Sequence, residues 1–123
     1  MNLKVLKWLL AHREALVQIV EIAKGYDKAL PFIKQWEIVD RIARIVIPIL
    51  EAESITPKLL SRDDIYPLIW PDEGEGSEPR EVQILQAGSE VLALGIDWKI
   101  IVETVLPLVI AILQALLRDK KDE

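Results

Sequence analysis

Between Lys99 and Arg118 the chain reads IIVETVLPLVIAILQALL, an apolar run interrupted only by Glu103, Thr104 and Gln114. A helix of that composition has two physical outlets. Its surface is covered by protein, from the same chain or a partner, or it is covered by lipid. At 1.5 Å per residue, residues 100–117 would span roughly 27 Å, just short of a hydrocarbon core of about 30 Å. The remainder of the chain has to be read for which outlet it favours.

The 123 residues fit one domain, 1–123, long enough to bury a real core without covalent staples. There are no cysteines, which excludes a disulfide framework, a zinc–thiolate site and a cysteine nucleophile. Hydrophobic residues make up 51% of the chain, above the usage of about 45–50% (Gly included) in ordinary soluble domains. The excess calls for wide buried helix faces, an oligomer, a partner or a bilayer. The net charge of −5 is unevenly placed, with Arg62 and Arg80 the only basic residues between 61 and 97. No basic stripe is present to neutralise phosphates, so no nucleic-acid partner is expected. A signal peptide is not expected either: His12, Arg13 and Glu14 break the early apolar run, and no small-residue cleavage site follows. The expected location is the cytoplasm.

Periodicity divides the chain into four helices, about 2–24, 28–53, 79–94 and 98–118. In the first, Leu3, Leu6, Leu10, Val17 and Val20 form a seam flanked by Leu9, Leu16 and Ala23. That arc is wider than the roughly 100° stripe of a surface helix, so the helix should touch more than one neighbour. In the second, Phe32, Trp36, Val39, Ala43, Val46 and Leu50 share a line, opposite Lys34, Glu37, Arg41, Arg44 and Glu51. Glu37–Arg41 and Asp40–Arg44 are spaced to pair along it. Pro48 falls on the polar line, where it bends a helix without disturbing the buried face. In the third, Val82, Leu85, Val91 and Leu92 supply an apolar side, and Gly88 sits in mid-helix.

The two helix–helix junctions read AKGYD (23–27) and ALGID (93–97), each a glycine stop, an apolar residue and an aspartate cap. They predict two helical hairpins. Residues 54–78 join them as an irregular, proline-rich connector in which Pro67 and Pro71 interrupt IYPLIWP, and residues 119–123 form a charged, frayed tail. The expected fold is all-α: a four-helix up-and-down bundle of two hairpins.

Motifs for chemistry are sparse. His12 is the only histidine and lies at the edge of the first apolar arc, the setting of a boundary residue rather than a ligand or base. No serine occupies a nucleophile elbow, and no glycine-rich phosphate loop occurs. Asp72, Glu73, Glu75, Glu78 and Glu81 lack the alternating spacing of a calcium loop and read as a solvated acidic loop. Glu103 would be a functional group if buried, but Lys99, Glu103, Pro107, Gln114 and Arg118 align at helical spacing as a thin solvent-facing line. No catalytic residue, metal ligand or cofactor is therefore assigned.

The expectation is a non-enzymatic helical interaction or oligomerisation module, a homo-oligomer or one that binds a protein partner. The candidate interface residues are Trp8, Leu9, Leu16, Trp70, Trp98, Glu103, Pro107 and Gln114, chosen for the aromatic anchors, the wide first arc and the last helix. The alternative is a small membrane-associated protein anchored by 98–118, with tryptophans at the bilayer surface. In organisation alone, that arrangement resembles small phage accessory and holin-like membrane proteins. A membrane partner is the less favoured expectation, because the first two helices are too charged to cross.

Overall fold

The computed structural model describes residues 1–53, 62–70 and 78–121. It is all-α, with no strand among the described residues. Pro71 of the expected connector and the acidic residues Asp72, Glu73 and Glu75 lie outside the described residues.

The wide first arc belongs to two helices rather than one. α1 spans Leu3–Ala11 and α2 spans Arg13–Ala23, with His12 between them at φ −114° and ψ 66°. The periodicity runs straight through this break, so the reading of a single helix over 2–24 is corrected. Side-chain chemistry accounts for it. The His12 amide bonds the Leu9 carbonyl at 3.0 Å, tightening the last turn of α1. The imidazole Nε2 pairs with Glu53 Oε1 and meets the Trp8 ring edge-on, 5.6 Å between centroids. The Trp8 indole N–H also donates to Glu53 Oε2 at 2.9 Å. The break lets the two halves face different neighbours: α1 packs on α4 and α5, α2 packs on α3, and both reach the last helix. Six of the nine α1 residues are buried, which is the use of the wide arc.

α3, Phe32–Glu53, begins later than residue 28. Asp27 accepts from the Ala29 amide at 2.9 Å and so caps a separate turn. Gln35 then staples that turn to the helix, its Nε2 donating to the carbonyls of Lys28 and Leu30. Ile42, Val46 and Leu50 carry the buried face, and Pro48 is exposed as expected. Asp40 pairs with Arg44 at 3.0 Å, while Glu37 turns to Lys34 rather than Arg41.

The irregular reading of the IYPLIWP stretch is corrected by α4, Arg62–Ile69, which contains Pro67. Proline in a helix removes one bond, here the one to the carbonyl of residue 63, and Pro67 is exposed, so water can meet that carbonyl. Ile65 is fully buried and fixes the helix to α1 and the last helix. Asn2 ties it at its end: Oδ1 caps α1 through the Val5 amide (3.2 Å), and Nδ2 donates to the Ile69 carbonyl (2.6 Å).

α5, Arg80–Ala93, ends in a Schellman motif. Gly95 has φ +76°, its amide bonds the Leu92 carbonyl, and the Ile96 amide bonds the Val91 carbonyl. The matching junction at Gly25 is different: its φ is not positive, and the amides of residues 24–26 close ordinary right-handed turns. The sequence likeness of the two junctions is therefore not a structural one.

The last helix starts at α6, Trp98–Ile100, where Asp97 accepts from the Lys99 amide at 3.0 Å. It widens into a π turn, Ile101–Val105, and continues as α7, Leu106–Lys121. The proline ring at 107 would clash with the carbonyl four residues earlier, and a wider turn there relieves the crowding. The helical backbone extends into the stretch expected to fray, as far as Lys121. Ile101, Val105, Leu106, Val109, Ile112 and Leu113 join the common core, each such side chain contributing about 1.5–3 kcal/mol. The last helix packs on α1, α2, α3 and α4.

Candidate functional site

The titratable groups come first, since they would carry chemistry. No polar or charged side chain is buried among the described residues. The one constellation of note is Trp8, His12 and Glu53, in which both carboxylate oxygens are already engaged. Its geometry joins the α1–α2 break to the end of α3, which is a structural task. No group of three or more His, Asp or Glu is placed to hold a metal ion among the described residues. Lys99, Glu103, Pro107, Gln114 and Arg118 are all exposed, along the outer side of the last helix.

The exposed apolar residues are more informative. Phe32, Ile33 and Trp36 leave 80%, 70% and 60% of their surface in water. They occupy the first turns of α3, ahead of the point where its apolar seam sinks into the core at Ile42. Next to them a groove of about 290 Å³ runs between α3 and α7. Trp36, Val39, Ala43 and Ile47 form one wall, and Ala111, Ile112, Ala115 and Leu116 the other. Asp40 is its polar member, held by Arg44. Taking about 150–250 Å² for an aromatic side chain, Phe32 and Trp36 alone expose on the order of 250 Å². That approaches the few hundred Å² at which an apolar patch marks an interaction site.

No protein-family model, curated protein or solved structure matches the chain. The geometry has to speak for itself.

The predicted interface residues separate into four groups. Trp8, Leu9 and Leu16 lie in the core and present nothing to a partner. Trp98 is half-buried, its ring over Gly88, where a β-carbon would stand 3.9 Å from Cε3. Trp70 is exposed and stacks on Tyr66 with ring planes 10° apart. Glu103, Pro107 and Gln114 are exposed on the last helix, and none of them lines the groove.

Sequence reasoning missed the groove because Phe32, Trp36, Val39 and Ala43 continue the core seam without a break. A signal was present in Ile33. It stands off the seam, between Trp36 and the polar sector of Glu37, where a large branched side chain has no core to enter. The third helix also divides differently from expectation. Ala87 and Val91 are buried with Ile84 packed beside them, whereas Val82, Leu85 and Leu92 are exposed.

Proposed function

We propose that this chain is a non-enzymatic helical interaction module that docks a protein helix in the groove between α3 and the last helix. One observation carries the reading: Trp36 stands in water at the edge of an apolar groove, with Phe32 and Ile33 exposed on the preceding turn of the same helix. A groove of this kind suits the apolar face of an amphipathic helix, with Trp36 as an anchor on its rim. On this reading the chain works in the cytoplasm as two helical hairpins in an up-and-down arrangement. The first hairpin is the bent α1–α2 pair with α3, the second is α5 with the last helix, and α4 closes the gap between them.

The test is the native mass in detergent-free buffer, together with a Trp36→Glu variant. Wild-type protein is expected above the mass of one chain, and Trp36→Glu is expected at one chain with its helical circular dichroism retained. A wild-type monomer that binds no apolar dye and no amphipathic peptide would overturn the proposal.

A second reading is favoured by Trp98–Arg118, a helix of 21 residues whose most apolar 18-residue stretch has mean hydropathy 2.4, so that by length and composition it can cross a membrane. In that reading it anchors the chain, with Glu103 and Gln114 facing other helices. Against it stands the exposure of Lys99, Glu103, Gln114 and Arg118 together on one side, which is how a helix half in contact with water is built. High-speed centrifugation separates the two readings: protein retained in membranes after a high-pH wash supports the anchor, and full recovery in the supernatant removes it.

A further inference from the structure

We infer that α1 exchanges between two copies of this chain, with α1 and α2 straightening about His12 into one continuous helix. The exchange is independent of the α3–α7 groove. It starts from a mismatch between pattern and structure. The apolar periodicity describes one helix, and the structure bends it at a single residue. On a straight helix the buried residues Val5, Leu9, Leu16, Val20 and Ala23 share one line, at i, i+4, i+11, i+15 and i+18. Ala11, Arg13, Glu14 and Ala15 around the break are all good helix formers, and neither Gly nor Pro occurs before Gly25. The break also leaves backbone bonds unmade. α2 has no side-chain cap, so the amides of residues 13–15 have no helical acceptor. In the straight helix they bond the carbonyls of Leu9, Leu10 and Ala11. What holds the bend is a tertiary clamp, His12 Nε2 on Glu53 and the imidazole against the Trp8 ring. The His12 and Glu53 side chains are 31% and 44% exposed, so opening the clamp strands no polar group away from water.

The surface that receives α1 selects its occupant. α1 buries Leu3, Val5, Leu6, Leu9 and Leu10 and packs on α4, α5 and the last helix. Asn2 donates to the Ile69 carbonyl and Lys7 Nζ to Gln83 Oε1, each at 2.6 Å. A cleft shaped by those contacts fits α1, and the α1 of a second copy is the same helix. Every exchanged contact is one already described, made between chains instead of within one. The product is a closed two-fold dimer in which each copy gives one helix and receives one. Only the hinge differs: straightening adds backbone bonds and loses the His12–Glu53 contact, while joining two chains costs translational and rotational freedom. The bent single chain therefore prevails in dilute solution, and the exchanged dimer grows with concentration.

Cross-linking across the α1–α5 contact tests this. The chain has no cysteine, so Lys7→Cys with Gln83→Cys places the only thiol pair on that contact, outside the core, for joining by a short bismaleimide. The chain is unfolded in urea, refolded at high concentration and separated by size before cross-linking. The expected dimer fraction is linked between chains and runs at twice the mass on a denaturing gel, while the single-chain fraction is linked within itself. Two hinge variants move the balance in opposite directions. His12→Ala removes the hinge side of the clamp and supplies the best helix former, and it is expected to tighten the dimer by roughly tenfold or more, since each of two hinges loses a bond to a carboxylate. Arg13→Pro suits the first position of α2 but interrupts a continuous helix, and it is expected to refold only as a single chain. Circular dichroism checks that both keep their helix content, and the cross-link on the wild-type hinge needs neither variant to fold. A dimer linked only within chains overturns the exchange and leaves a surface contact such as the groove in its place. Arg13→Pro that dimerises like wild type, or His12→Ala that stays a single chain at every concentration, overturns it as well.

Discussion

At the scale of single residues, three glycines differ although two of them sit in near-identical pentapeptides. Gly95 needs its missing side chain: at φ +76° it closes the Schellman motif, and an L-residue there is strained by about 1–2 kcal/mol. Gly95→Ala is expected to lower stability by that order in urea denaturation. Gly25 has no such need. Its φ is not positive and a β-carbon would lie 3.6 Å from the Ile22 carbonyl oxygen, an ordinary contact. Gly25→Ala is expected to leave the denaturation midpoint unchanged or slightly raised. Gly88 is in the middle of α5, and a methyl group there would meet the Trp98 ring at normal van der Waals distance. Gly88→Ala therefore removes the helix penalty of glycine without a clash and should stabilise by about 0.5–1 kcal/mol. If Gly88→Ala destabilises instead, the Trp98 ring lies closer to α5 than described.

At the scale of elements, side-chain bonds between helices set boundaries that periodicity could not. Asn2 is the clearest case, since one side chain serves two helices, accepting from the Val5 amide and donating to the Ile69 carbonyl. Asn2→Ala loses both bonds and should cost about 1–2 kcal/mol, while Asn2→Asp keeps the cap acceptor and should cost less. Equal losses in the two variants would mean that the cap on the Val5 amide contributes nothing. The same logic explains what the sequence made legible. The all-α class and the four long periodic stretches follow from apolar spacing, which is local information. The break at His12 depends on Glu53, and the α4 helix depends on Ile65 finding a hole among α1 and α7, both contacts between residues far apart in the chain. Proline made α4 look irregular, yet Pro67 is exposed, where water meets the freed carbonyl, and burial of Ile65 offsets the rest of its cost.

For the whole molecule, the last helix packs on α1, α2, α3 and α4, and Lys99, Glu103, Pro107, Gln114 and Arg118 face out. Glu103→Lys is accordingly expected to change stability by no more than about 0.5 kcal/mol, the usual range for an exposed substitution. A loss well beyond that would place Glu103 in a contact the isolated chain does not make. The candidate site was less legible than the fold. A seam of apolar residues tells where a helix is apolar, not how far its neighbours reach along it, so the overhanging start of α3 and the outer line of α5 both read as core.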